Sequence, residues 1–222
     1  VYRTRVLPAA VSLTAAAALL LTGCGGGDDD KDKEPIEGAG GESKSSAPAS
    51  PSASAGPKID RPVMKFPSDV ELVFDKAQVT PEQAAPLNDA QNFLRSIEYG
   101  IVKQDPKEPA HRFYSEYPGT ALDYAKSQIK GHADAGATIT GKRHYYNAKV
   151  KLSDSGKTGF VSMCSDGSKL YGKDVKTGEV RRTKKSVKDY YFWQIQMAAS
   201  DKTEGLWRAK EIQVAGEAKQ CM

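Results

Sequence analysis

The chain has 222 residues, a formal charge of +4 at neutral pH, 27% charged residues, three cysteines and three histidines. That length holds one ordinary domain plus appendages. The mild positive charge permits attraction to anionic polymers or lipids without demanding it, and the absence of Cys or His at ligand spacing excludes a metal centre built on those residues.

Arg3 and Arg5 precede an apolar stretch, Val6 to Leu21, that is too short for a spanning helix, which needs roughly 20 strongly apolar residues. A charged start, an apolar run and small residues before a Cys describe an export signal over residues 1–23. Leu21-Thr22-Gly23-Cys24 resembles the lipobox of bacterial lipoproteins. The resemblance implies a diacylglycerol on Cys24, cleavage just before it, and anchorage on the outer face of the cell membrane. Two or more acyl chains suffice to hold a protein there. An ordinary secretory signal with a chance Cys is the alternative.

Residues 24–60 read as a linker. Gly25-Gly26-Gly27 leads into an Asp- and Lys-rich run, then into Gly, Ser, Ala and Pro. Such a composition cannot bury enough apolar surface to offset chain entropy and is expected to be disordered. The 36 residues from Gly25 to Asp60 would reach roughly 30–35 Å as a coil. With lipid on Cys24, Cys164 and Cys221 are left in an oxidising compartment, where one bridge between them is expected and two free thiols are the alternative.

The domain, residues 61–222, carries 26 Lys and Arg against 20 Asp and Glu. Val70 to Phe74 suits a short strand. Thr80-Pro81-Glu82-Gln83 has the N-cap, N1 and N3 residues of a helix start. Leu87, Ala90, Leu94, Ile97 and Ile101 then form one apolar stripe, with Phe93 beside it, and the helix must end before Pro106. Pro109 to Tyr117 suits a helical turn. A second long helix is predicted from Thr120, with Asp123 at N3 and a stripe of Leu122, Ala125 and Ile129, ending near Gly131 or Gly136.

Beyond Gly136 the period becomes two. From His144 to Leu152 the even positions are mainly apolar, which predicts a half-buried strand with His144 and Tyr146 on its inner face. Gly159 to Ser165 is the next strand, with a turn at Asp166-Gly167 into Lys169-Leu170-Tyr171. A further turn falls at Lys176-Thr177-Gly178. Val187 to Ala199 is a long strand with Tyr191, Trp193, Ile195 and Met197 on one face. After the last hairpin the apolar parity slips from Ala209 to Ile212, which predicts a bulge near Lys210-Glu211.

Helices first and strands afterwards make an α+β domain, with helices packed on a curved antiparallel sheet of four to five strands. The order of Ile139-Thr140-Gly141, Cys164-Ser165-Asp166, Gly205-Leu206-Trp207-Arg208 and Cys221 resembles the NTF2-like (cystatin-like) superfamily, and more narrowly its small lipoproteins in high-GC Gram-positive bacteria. The resemblance implies a cone with a pocket between helices and sheet. Enzymes of the superfamily place an acid, a His or a Tyr inside that cone.

The candidates for such a pocket are His144, Tyr146, Tyr191 and Trp193; each reads equally as a structural or core residue. His111 and His132 sit among polar neighbours and are expected at the surface. Arg181, Arg182, Lys184 and Lys185 form the densest basic segment. They suit contact with an anionic wall polymer or another surface protein, or simply a solvated loop. No cofactor, catalytic residue or nucleic acid is expected, and the oligomeric state stays open. The reading is therefore a membrane-anchored, non-catalytic binding module. The alternative is a cyclase- or isomerase-like enzyme acting on a small lipophilic molecule, to be recognised by a buried acid or His with a hydrogen-bonded partner.

Overall fold

The computed structural model describes residues 59–222. Cys24, the signal segment and almost all of the linker lie outside the described residues. Among the described residues no helix is long and apolar enough to cross a membrane.

The fold is α+β: three helices laid on one face of a curved sheet. Strand β1 (Val70–Phe74) leads into α1 (Pro81–Lys103), α2 (Pro109–Phe113) and α3 (Thr120–Asp134). The strands β2 (Ala137–Leu152), β3 (Thr158–Asp174), β4 (Val180–Arg181), β5 (Tyr190–Ala199) and β6 (Trp207–Gly216) follow. The sheet order is β1-β2-β3-β5-β6, with the two-residue β4 paired to the far half of β3. The sheet is mixed, not wholly antiparallel as expected, because β1 pairs parallel to β2. Three helices separate these two strands, and a crossover of that length returns the chain in the same direction.

The α1 start behaves as its sequence dictates. Thr80 and Gln83 close a capping box, and the helix ends at Gln104 in the left-handed conformation. Every residue of the α1 stripe is buried, from Leu87 to Ile101, and they meet Val161, Ile195, Met197 and Ala209 of the sheet in one core. Fully burying a Leu- or Ile-sized side chain contributes about 1.5–3 kcal/mol, so this stripe is what holds the helix to the sheet. In α3, Leu122, Ala125 and Ile129 are buried as expected, but Gly119, not Thr120, takes the cap position. The Thr120 hydroxyl instead accepts from the Ile212 amide at 3.2 Å and ties α3 to β6.

Two strand boundaries differ from expectation. Asp166-Gly167 is not a hairpin turn, since β3 runs unbroken from Thr158 to Asp174. Between the pairs Lys142–Lys169 and His144–Asp166 the register shifts, so β3 carries one extra residue there. The turn-forming chemistry is used locally: the Asp166 carboxylate accepts the Ser168 amide at 2.7 Å. The result is a bulge, which bends a strand instead of reversing it. At the other site, Val187–Asp189 forms a single 3-10 turn capped by Ser186, and β5 begins at Tyr190. The predicted bulge in β6 is present, with Lys210 as the extra residue between the pairs Met197–Ala209 and Gln196–Glu211.

Cys164 and Cys221 are joined by a disulfide with a Cα–Cα distance of 5.4 Å. It pins the C-terminal residues to β3 and packs with Tyr190 and Ala218 in a small second cluster.

Candidate functional site

The four expected pocket residues divide between the two faces of the sheet. Asn147 in β2 adopts φ 53°, in the left-handed region, and the register with β3 shifts between Tyr146 and Lys149. Asn is among the few residues that tolerate that conformation. A bulge there inverts the inside–outside alternation. Ala148, Val150 and Leu152 beyond it pack on the core as the even-position pattern says. Before it, the inward residues are Arg143 and Tyr145, so His144 and Tyr146 face outward, against expectation. Tyr145 is 2% exposed and stacks on Phe74 at 4.3 Å between ring centroids. Tyr146 packs on the disulfide cluster and its hydroxyl donates to the Cys221 carbonyl. His144 Nε2 lies 2.7 Å from Asp75 Oδ1 in an exposed pair.

Tyr191 and Trp193 do face inward. The Trp193 indole N–H donates to the Ser165 hydroxyl at 2.9 Å. Tyr191 lies 6.0 Å from it, and Tyr124 of α3 meets it edge-on at 6.3 Å. Into this aromatic cage the sheet sends Arg143 and α1 sends Glu98. Arg143 Nη1 meets Glu98 Oε1 at 2.9 Å, with side chains 18% and 7% exposed. The Arg143 guanidinium sits 6.0 Å above the Tyr191 ring. Burial works against the Arg143 charge, but Glu98, Tyr145 and Tyr191 together outweigh it and hold the guanidinium above its ordinary range. Burial raises the Tyr145 phenol and pushes Tyr124 up to about 12. Both hydroxyls therefore stay protonated at neutral pH. The Tyr145 hydroxyl and the Arg143 Nε are buried with no hydrogen-bond partner.

Sequence reasoning missed Arg143 and Glu98. A signal for Glu98 exists: it stands four residues after Leu94 and three before Ile101, so it interrupts a buried stripe with a charge. The Arg143 position becomes readable only once Asn147 is recognised as a bulge.

His111 is not at the surface as expected. It is fully buried, neither ring nitrogen has a partner, and burial with repulsion from Arg112 and Lys126 pushes its pKa down to about 4. His132 lies on α3 with Nδ1 3.1 Å from the Gln128 carbonyl. Asp89 was also overlooked. Fully buried in α1, it pairs with Arg61 and accepts the Trp207 amide at 2.8 Å, which fastens the start of the described chain to the last hairpin. Burial raises its pKa, the bonds to the Trp207 amide and Arg61 opposing.

The basic segment folds back onto the outer face of the sheet. Arg181 pairs with Gly172 as the end of β4. Arg182 lies 5.2 Å above the Tyr171 ring and Lys185 5.3 Å above the Tyr190 ring. Lys185 Nζ approaches Asp166 Oδ2 at 3.8 Å, and Lys184 is exposed. Burial opposes the Asp166 charge, but the Ser168 hydrogen bonds, Lys185 and Tyr190 together hold it below the usual carboxylate range. Lys185 thereby joins Lys142, Lys169, Ser168, His144 and Asp166 around a cleft of about 280 Å³. Its lining has three lysines and one acid: Asp166 faces Lys185, and Glu71 from β1 takes part of Lys142 at 3.2 Å. Among the described residues no group of three or more His, Cys, Asp or Glu is placed to hold a metal ion.

No protein-family model and no curated protein matches the chain. Solved structures similar to it include a ketosteroid isomerase-like protein from Erwinia carotovora atroseptica, 14% identical over 62% of this chain and 98% of that one, with a TM-score of 0.41. Aln2 from a Streptomyces species is 11% identical over 64% and 95% of the two chains, with a TM-score of 0.43. The intermembrane space region of the chloroplast protein ARC6 is 14% identical over 63% and 99%, with a TM-score of 0.38.

Proposed function

We propose that the chain is an extracytoplasmic binding module, tethered to the membrane through a lipid on Cys24, that holds an anionic polymer on the outer face of its sheet. The observation that carries this reading is the folding back of the basic segment. Lys185 does not hang free in a solvated loop; it completes one cleft with Lys142, Lys169 and Ser168. Arg181, Arg182, Lys184 and Lys188 flank it in sequence and extend the cationic surface. A polyphosphodiester chain fits that chemistry, since lysines act as point charges toward phosphate and the Ser168 hydroxyl can donate to a phosphate oxygen. Binding of this kind weakens as salt rises, because exposed charges are screened.

A poly(glycerol phosphate) co-sedimentation assay tests it. The full chain binds at low ionic strength and releases at high; replacing Arg181, Arg182, Lys184 and Lys185 together with Ser abolishes binding. Retention by the quadruple variant would refute the cleft as the contact.

A second reading has its own observation. Between helices and sheet lies a buried acid with an ion-paired partner, near to the mark set for an enzyme, and beside it the Tyr145 hydroxyl. The partner, however, is a guanidinium and not a second titrating group. Among the described residues four cavities stand out, and none is lined by Glu98, Arg143 or Tyr145. The ion pair fills the place where a substrate would lie, and this favours binding over turnover.

A further inference from the structure

The far half of the outer sheet face carries a second groove of different chemistry. The register of β2, β3, β5 and β6 sets outward side chains in two rows across four strands. Lys151, Phe160, Gln196 and Glu211 stand side by side, and Lys149, Ser162, Gln194 and Gln213 form the adjacent row. All eight line one open groove of about 530 Å³, within the range of small-ligand sites. Three inter-strand spacings give it a length of about 14 Å. Phe160 is 52% exposed at its floor, while its strand neighbour Val161 points the other way into the core at 1%.

We infer that this groove binds a neutral glycan strand carrying acetamido groups. Each of the three glutamines offers a carboxamide with paired donors and acceptors, which match both vicinal hydroxyls and an acetamido group. Phe160 supplies a flat apolar face against which the C–H side of a sugar ring can stack, with the polar rows on either side to fix its orientation. The charges distinguish this groove from the basic cleft. Two lysines stand at the β2 end and Glu211 at the β6 end, with neutral amides and a hydroxyl between them, so the middle of the groove suits an uncharged ligand. The same composition argues against a second copy of the chain as occupant. The core of a subunit interface is depleted in Lys and Glu and rich in apolar surface, and here one aromatic stands among seven polar or charged side chains. The groove goes beyond the proposed polyanion contact and does not depend on it.

The probe is an oligomer of β-linked N-acetylglucosamine, titrated into the full chain by calorimetry at low and high salt. Saturable binding that barely changes with salt is expected. Phe160→Ala should weaken it by about tenfold, the size of one aromatic anchor, and Gln194→Ala with Gln213→Ala should weaken it similarly. These side chains lie outside the core, so thermal melting should show the variants folded. The quadruple Ser variant of the basic segment should bind the oligomer as the parent does, which separates this site from the cleft. No saturable binding by the parent chain would overturn the inference. So would binding unchanged by Phe160→Ala, binding lost in the quadruple variant, or a dimer in sedimentation that Phe160→Ala dissolves.

Discussion

His111 shows how a single buried side chain sets a pH limit. Its folded-state pKa lies near 4, below the ordinary value of 6.5, because burial disfavours the charged imidazole. Between those values the unfolded chain binds a proton that the folded chain refuses. Stability is therefore lost as pH falls through that window, by up to about 1.4 kcal/mol per pH unit. Denaturant unfolding from pH 7 to 4 should show this slope, and His111→Leu should flatten it. Glu98 and Arg143 make the other residue-scale case. Removing one partner leaves a buried charge unpaired, so Glu98→Ala should cost about 3–5 kcal/mol, while the double change Glu98→Leu with Arg143→Met should cost much less. Equal losses would mean that the pair is solvated. His111 and Arg143 were not legible in the sequence: polar neighbours say nothing about burial, and His111 lies next to Arg112 yet is fully buried; Glu98 left one signal, a charge set within the buried α1 stripe.

At the scale of elements the sequence was read well wherever one period ran without interruption. The α1 stripe, the β5 face and the Lys210 bulge needed only counting. The reading failed where a single residue shifted the count. Asn147 inverted the faces of β2 and exchanged His144 and Tyr146 for Arg143 and Tyr145, and the extra residue near Gly167 turned an expected hairpin into one long strand. A bulge shows in the alternation only where clearly apolar residues flank it, as Ala209 and Ile212 flank Lys210; beside Arg143, His144, Tyr145 and Tyr146, which suit either face, one added residue leaves no slip to count. Pairing between strands distant in sequence was likewise out of reach, and with it the parallel β1. The disulfide spans 57 residues and ties β3 to the short 3-10 turn at the chain end. Replacing Cys164 and Cys221 with Ala should lower stability by about 2–5 kcal/mol. An unchanged denaturation midpoint would show that Tyr146 and Tyr190 hold the C-terminal segment without the bridge.

For the whole molecule, the two faces of the sheet differ in chemistry. The inner face is filled by helices, aromatic rings and an ion pair, and it stabilises the fold. The outer face carries the basic cleft at one end and the amide-lined groove at the other, both outside the core. The proposed lipid on Cys24 has its own test. Cys24→Ala should move the protein from the membrane fraction to the soluble one, and retention in high salt would show an attachment other than lipid. The most direct measurement of outer-face binding is a titration of isotopically labelled full chain with poly(glycerol phosphate), followed by backbone amide chemical shifts. The account predicts shifts at Lys142, Ser168, Lys169 and Lys185 that collapse on adding salt, with Glu98, Arg143, Tyr145 and Tyr191 unmoved. Shifts centred on Glu98, Arg143 and Tyr145 that persist in salt would contradict it and place the ligand between helices and sheet.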